Sequence, residues 1–431
     1  MPFLHGFRRI IYEYQPLVDA IMSVVQLEEE SRHESRSQED ERRLCSSLVE
    51  LLERESHSEM FLEGISSALF KVAERGLVQA AKVLLRYRAD LHFEDPVSFY
   101  NPLHIAVLRN RPNMVKLLVE HKADIEKKHR IHESSPLDLA SEDLDRLPCL
   151  LALLDLGANV NACDKQGKSP LLHALQSSDG LTVNNTENIQ LLLQRGADVK
   201  AVTKDGETVE SSLVFLVKEA LDASPEDAAE IGKFCLKTTR LLLAHGVDPS
   251  NDANDGESSL TQTSLEHFDL LFPLAVLIIQ SGASLVCAHS DSCWRASTII
   301  FQRLQSALRQ CSDPNYASEL IQQAELLLDL ARVNYPTVHS GLGPPTFAQD
   351  PHPYAQELQD LYNRVVEHDT SPPALRCLCR AFIRRQLQIW PLEERINALP
   401  LPDRLKGFLL PERMYKPKPG WDCFKPQESQ R

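Results

Sequence analysis

Apolar residues recur along much of this chain in a fixed rhythm. Leu84-Leu85, Leu117-Leu118, Leu153-Leu154, Leu191-Leu192-Leu193, Leu241-Leu242-Leu243 and Leu277-Ile278-Ile279 each close an apolar stripe at helical spacing. A short phrase follows each: Ala89-Asp90-Leu91, Ala123-Asp124-Ile125, Ala158-Asn159-Val160, Ala197-Asp198-Val199, Val247-Asp248-Pro249 and Ala283-Ser284-Leu285. Upstream of several sits a second marker: Pro102-Leu103-His104-Ile105-Ala106, Ser135-Pro136-Leu137-Asp138-Leu139-Ala140 and Ser169-Pro170-Leu171-Leu172-His173-Ala174. The pattern predicts helix pairs. Proline starts the first helix, at a position whose N–H lacks an intrahelical partner in any case. Alanine allows close approach of neighbouring helices. Leucines form the buried stripe of the second helix. Gly157, Gly196, Gly246 and Gly282 fall just beyond it, where a left-handed residue is favoured. Gln166-Gly167 and Asp205-Gly206 mark the tips of hairpin fingers between pairs.

The early phrases recur at about the 33-residue ankyrin period, and the markers resemble the ankyrin-repeat signature. Six repeats are expected between residues 60 and 290. One repeat cannot bury its own apolar face, so stacking makes the core. The first, around Ser67 to Phe93, and the last, around Ser258 to Val286, are degenerate. The fifth carries an insertion between Thr208 and Thr238, and Gln176 to Asn185 lengthens a loop in the fourth. Insertions on a solenoid often shape its binding groove; tolerated loop growth explains them equally. His104 and His173 invite a metal reading, but their place in the repeat marker makes them hydrogen-bonded structural histidines.

Ahead of the repeats, Phe7, Ile10, Ile11, Tyr14, Leu17, Val18 and Ile21 have helical spacing, giving an N-terminal helix over residues 1–27 that covers the end of the array. Arg8 and Arg9 precede any acid, as in a mitochondrial address, but Glu13 and Asp19 interrupt that pattern. Residues 28–43 contain no apolar side chain and read as a flexible linker, the mixed charges speaking against an acidic binding tail. Residues 44–59 form a capping helix. Behind the repeats, residues 291–370 read as an irregular helical connector, with helices over Ser297 to Leu308, Ser318 to Val333 and Tyr354 to His368. Gly341-Leu342-Gly343 is no phosphate cradle, since neither a preceding strand nor a Gly-Lys-Ser/Thr run accompanies it.

The stretch from Ala374 to Leu409 stands apart. Leu375, Leu378, Cys379, Phe382 and Ile383 share one helical face, and Arg376, Arg380, Arg384 and Arg385 fall mostly elsewhere on the wheel. Pro372 and Pro373 precede this helix and Pro391 helps to end it. Leu399-Pro400-Leu401-Pro402 then forces an extended turn. Leu405, Phe408 and Leu409 resume a short apolar face.

Charge narrows the function. A net charge of −15 argues against coating nucleic acid or an anionic membrane, although the segment from Leu375 to Lys418 is locally basic. The ten cysteines include no Cys-x-x-Cys pair and no zinc-finger spacing, which suits reduced thiols in the cytosol or nucleus. No secretory signal and no apolar run long enough to cross a bilayer is visible, and a cytoplasmic protein is expected. No nucleophile elbow, paired-carboxylate motif, metal-ligand block or RING-like Cys/His pattern appears. No catalytic residue, metal or cofactor is expected.

The terminal stretch resembles a SOCS box, and the chain as a whole resembles the ankyrin-repeat and SOCS-box family. Leu375, Cys379 and Ile383 match the leucine–cysteine–aliphatic spacing of an elongin-binding box. Ile396, Leu399-Pro400-Leu401-Pro402 and Arg404-Leu405 are similar to a cullin box. The resemblance implies an all-α chain: an ankyrin solenoid of helix pairs with short β-hairpin fingers, a helical SOCS box over residues 371–415 and a tail over residues 416–431. It also implies a non-catalytic substrate receptor of a cullin-RING ubiquitin ligase. Leu375, Leu378, Cys379, Phe382 and Ile383 would bind elongin C, with elongin B joining through it. Ile396, Leu399, Pro400, Leu401, Pro402 and Leu405 would bind cullin-5 with its RING protein, in preference to cullin-2. Two positions depart from the family pattern. Ala374 lacks a capping side chain, and Gly407 within the last turn costs about 0.5–1 kcal/mol of helix stability. The competing reading is an ankyrin scaffold for signalling proteins without ubiquitin transfer, its last helices a mere cap with Leu375 packed inward. A third is a chain that recruits elongins only to govern its own stability.

Overall fold

The computed structural model describes residues 13–25, 38–177, 185–249, 258–283, 285, 295–311, 313–334, 354–370, 373–387 and 392–410. Among them secondary structure is helical throughout, and the chain divides into two units. The first holds residues 1–177 and 187–198, the second residues 178–186 and 199–431.

In the first unit, α1 (residues 13–25) buries Tyr14, Val18, Ile21 and Val25. It lies on α3 (Phe61–Arg75): a Cβ added at Gly64 would come 2.7 Å from Leu17 Cδ2. The expected covering helix is thus packed on the first repeat. α2 (Gln38–Glu55) starts earlier than the sequence suggests. Gln38 to Arg43 extend a helix anchored by buried Leu44, Leu48, Leu51 and Leu52. Adding good helix formers to an existing helix is far easier than nucleating one. The linker reading is corrected there; residues 26–37 lie outside the described residues.

Helix pairs follow: α3 with α4 (Val78–Arg86), α5 (Pro102–Leu108) with α6 (Pro112–Glu120), α7 (Pro136–Ser141) with α8 (Leu147–Asp155), and α9 (Pro170–Gln176) with α10 (Thr186–Gln194). First helices pack in a row, α3 on α5 on α7 on α9, and second helices in another, α2 on α4 on α6 on α8. The marker prolines stand at the first position of α5, α7 and α9. The residue before each caps the helix: Asn101 Oδ1 accepts from His104 N–H at 2.8 Å, and Ser135 Oγ from Asp138 N–H at 3.1 Å. Leu84, Leu118, Leu150 and Leu153 are fully buried between the rows. Each contributes about 1.5–3 kcal/mol.

Each second helix ends in a left-handed residue. Gly157, Gly196, Gly246 and Gly282 adopt φ of 93°, 87°, 87° and 86°. The first two repeats put Arg88 (φ 67°) and Lys122 (φ 73°) in that place. The fingers between pairs are tight turns closed by backbone bonds, and no β-strand occurs among the described residues. The expected β-hairpins are corrected to turns, since only three or four residues separate the closing pair and side-chain acceptors such as Asp164 fold each tip on itself.

In the second unit, the insertion between Thr208 and Thr238 proves to be helix rather than loop. It lengthens α11 (Val209–Asp222) and α12 (Pro225–Ala244), joined by a turn at Ala223-Ser224. α13 (Leu260–Glu266) and α14 (Phe268–Gln280) form the sixth expected pair. The other suspected loop, residues 178–184, lies outside the described residues. The connector helices form over α15 (Ala296–Gln310), α16 (Pro314–Asn334) and α17 (Ala355–Thr370). They share a core of Phe268, Phe272, Ile300, Leu304, Leu320, Leu327, Leu358 and Leu361. Arg303 clamps Asp269 bidentately at 2.7 and 2.8 Å, tying α15 to α14.

Candidate functional site: a helix with its apolar face outward

Three helices make the terminal module: α18 (Leu375–Gln386), α19 (Leu392–Ala398) and α20 (Asp403–Leu409). α18 rests on α16 and α20. It is uncapped by any side chain, since Ala374 at its N-cap has no acceptor to offer.

The orientation of α18 reverses the usual rule. Leu375 is 75% exposed, Phe382 64%, Leu378 37% and Ile383 36%, and Cys379 is exposed beside them. Arg380 and Arg384 turn inward instead, while Arg376 stays exposed. Arg384 is 5% exposed, and its Nη1 donates to the Leu409 carbonyl at 2.7 Å. The Arg380 guanidinium lies 5.2 Å from the centroid of the Phe408 ring. A long arginine stem packs well while its head finds a polar or aromatic partner. All five residues read from the sequence as elongin contacts therefore gather on one bare face. The cap reading required Leu375 to be packed, and it is three-quarters exposed.

The module closes without that face. Leu392, Ile396, Leu409 and Leu410 form its core, with Leu387, Leu399, Leu401 and Phe408 packed around them. Between α19 and α20 the chain alternates: Leu399 and Leu401 turn toward the core, Pro400 and Pro402 toward solvent. Leu401 N–H donates back to the Leu399 carbonyl at 2.8 Å, and Lys406 Nζ to the Asn397 carbonyl at 2.8 Å. Of the residues read as cullin contacts, Pro400, Pro402 and Leu405 are exposed, and Leu399 and Leu401 are half-buried. Ile396 is fully buried. It supports the box from within and offers no surface, so its role as a direct contact is corrected to a supporting one. Gly407 faces open space.

Sequence reasoning missed the inward role of Arg380 and Arg384. A faint signal existed: Cys377, Ala381, Arg384 and Leu387 repeat at helical spacing and form a narrow second face of small or long-stemmed side chains.

Elsewhere the histidines of the repeat markers are hydrogen-bonded. His104 Nε2 meets the Lys127 carbonyl at 2.7 Å, and burial lowers its pKa to about 4. His173 lies 3.2 Å from Asp164 Oδ2 and 3.3 Å from Glu142 Oε1. Burial pushes the Cys149 and Cys235 thiols up to about 12, which leaves them inert. Among the described residues no His, Cys, Asp and Glu side chains converge as metal ligands, and no helix is long and apolar enough to cross a membrane.

Known proteins bear on both parts of the chain. The family model for the SOCS box matches residues 371–410, and that for ankyrin repeats matches residues 41–129 and 69–164. The chain is 52% identical over 408 residues to ankyrin repeat and SOCS box protein 6 of Pongo abelii, covering 93% of this chain and 95% of that protein. It is 51% identical to the Homo sapiens protein of the same name, over the same shares. A shorter match, 31% identical over 201 residues, is to the B-cell lymphoma 3 protein homolog of Mus musculus and spans 44% of this chain and 38% of that protein. Repeat-type helix pairs stand ahead of a terminal box, and relatives match through both at half identity: the chain belongs to the ankyrin repeat and SOCS box family.

Proposed function

We propose that this chain is the substrate-recognition subunit of a cullin-5 RING ubiquitin ligase. The observation that carries the proposal is the bare face of α18. Leu375, Leu378, Cys379, Phe382 and Ile383 form a stripe that the module itself leaves uncovered. A stripe of this kind is what a helix offers to an apolar groove on another protein. Elongin C fits that role, with elongin B joining through it. Pro400, Pro402 and Leu405 supply an adjoining surface for cullin-5, held in shape by the leucines beneath and the fixed φ of proline. The helix pairs upstream bind the target protein. The chain then acts by effective concentration: it holds a target lysine where a conjugating enzyme, brought by the RING protein, reaches it.

The test is reconstitution with purified elongin B/C and cullin-5. A Leu375→Ala/Cys379→Ala variant is expected to lose all three partners. A variant with alanine from Leu399 to Pro402 is expected to keep the elongins and lose cullin-5. A folded, intact chain that captures no elongin overturns the proposal.

A further inference from the structure

The first two fingers differ from the later ones in length, backbone and surface. The third closes from Asp164 N–H to the Lys168 carbonyl at 3.0 Å and the fourth from Thr203 N–H to the Glu207 carbonyl at 3.0 Å. Gly167 and Gly206 turn those tips at φ 83°. The first closes from Asp95 N–H to the Tyr100 carbonyl and the second from His129 N–H to the Ser134 carbonyl, both at 2.9 Å. Each encloses one residue more than the later fingers. Phe99 (φ 59°) and Glu133 (φ 54°) take the left-handed place that glycine would occupy without strain. A bulky residue there persists only where its surroundings hold it.

Those surroundings lock the two fingers together. His129 Nδ1 accepts from His132 N–H at 3.3 Å, so Nε2 carries the proton and donates to the Ser98 carbonyl at 2.9 Å. The His129 ring packs on Tyr100, at 4.4 Å, and on His132, at 5.3 Å. The Arg130 guanidinium sits 5.5 Å over the Phe99 ring. On this fastened base, Val97 and Ile131 occupy the same loop position and stand 82% and 57% exposed.

The acids around them are already engaged. Asp95 Oδ2 is spent on Val97 N–H, Ser98 N–H and the Ser98 hydroxyl. Glu94 pairs with Lys127 at 3.6 Å and Glu133 with Lys165 at 3.8 Å. Arg130 makes no ion pair among the described residues and is exposed, as is His132.

We propose that these two fingers form a preformed docking platform for an acidic segment of a protein partner that carries a large apolar side chain. The apolar group would cover Val97 and Ile131, and a carboxylate would meet Arg130. The shared base removes most of the ordering cost that loose loops would carry. The proposal rests on the reading of the helix pairs as the target-binding part of the chain.

The test is selection of random dodecapeptides displayed on phage against the full-length chain, with elongin B/C capture measured on the same samples. Enriched peptides are expected to join Asp or Glu to Leu, Ile, Phe or Trp. A Val97→Ser/Ile131→Ser variant should weaken the selected peptides by about tenfold or more. Arg130→Glu should turn the selection toward Lys and Arg. Val202→Ser, an exposed aliphatic just ahead of the fourth finger, should leave binding unchanged. The proposal is overturned by the absence of enrichment, by a consensus without acid, or by binding that survives the double variant. It is overturned equally if sedimentation shows a dimer that the double variant dissolves, since the platform would then serve a second copy. Loss of elongin capture with peptide binding intact would strike the ligase reading alone.

Discussion

Arg384 and Leu409 are joined by a buried 2.7 Å hydrogen bond that spans 25 residues of sequence and fixes α18 on α20. This bond determines which way α18 faces. With Arg384 seated, the apolar stripe can only point outward.

Removing that anchor should loosen the module. Arg384→Met keeps the stem but leaves the Leu409 carbonyl without this donor, at a cost of about 1.5–3 kcal/mol. Hydrogen exchange should report faster opening of α20, with the repeats unaffected. Elongin binding should fall as well, because the stripe no longer has a fixed orientation.

Two apolar residues of the module should respond in opposite ways. Leu375→Ala, at an exposed site, should leave the melting temperature unchanged and weaken elongin binding about ten- to hundredfold. Ile396→Ala, in the module core, should destabilise it by about 2–5 kcal/mol. Calorimetry and titration of the same two variants separate the effects.

Lys122 stands where later repeats have glycine. Lys122→Gly relieves a left-handed backbone and should stabilise the first unit by about 1 kcal/mol, read as a higher urea midpoint. Arg88→Gly should act similarly and, in a distinct repeat, add to it.

The His104 ring should make stability depend on pH. Its Nδ1 accepts from Asn101 N–H at 3.3 Å and its Nε2 donates to the Lys127 carbonyl, so the buried ring is held neutral. The unfolded ring takes a proton below pH 6.5, the folded one only near 4. Stability from this site is therefore complete above pH 6.5 and falls by roughly 3 kcal/mol as pH drops through that window. Asp138 acts in the opposite sense: burial raises its pKa from 3.8 to about 6, so its share is complete below 3.8 and is lost as pH rises toward 6. Comparison with His104→Gln isolates the first. The gap between wild type and variant should narrow by about 2 kcal/mol from about pH 7.5 to about pH 5.

The repeats were legible because their signals are local. Pro102, Pro136 and Pro170 start helices and Gly157 and Gly196 end them through their own backbone geometry. The helical form of the Thr208–Thr238 insertion also has local signals, a Ser224-Pro225 helix start and Leu213, Val217 and Ala220 at helical spacing, which a comparison of repeat lengths alone passes over. The shared face of Leu375, Leu378, Cys379, Phe382 and Ile383 on α18 was legible from spacing alone, but its exposure was not. A helical wheel cannot say which of two faces turns inward when the deciding partner, the Leu409 carbonyl, is distant in sequence. The first two fingers escaped notice for a related reason. Their mark is a missing glycine, and a missing residue leaves no motif.

A helix that wears its leucines outward is also a liability for the unassembled chain. Exposed apolar surface of this kind attracts chaperones and other unfolded chains. On the proposed reading, elongin supply limits how much of this protein a cell can keep: copies beyond that supply carry the Leu375 stripe uncovered and are the first to be cleared.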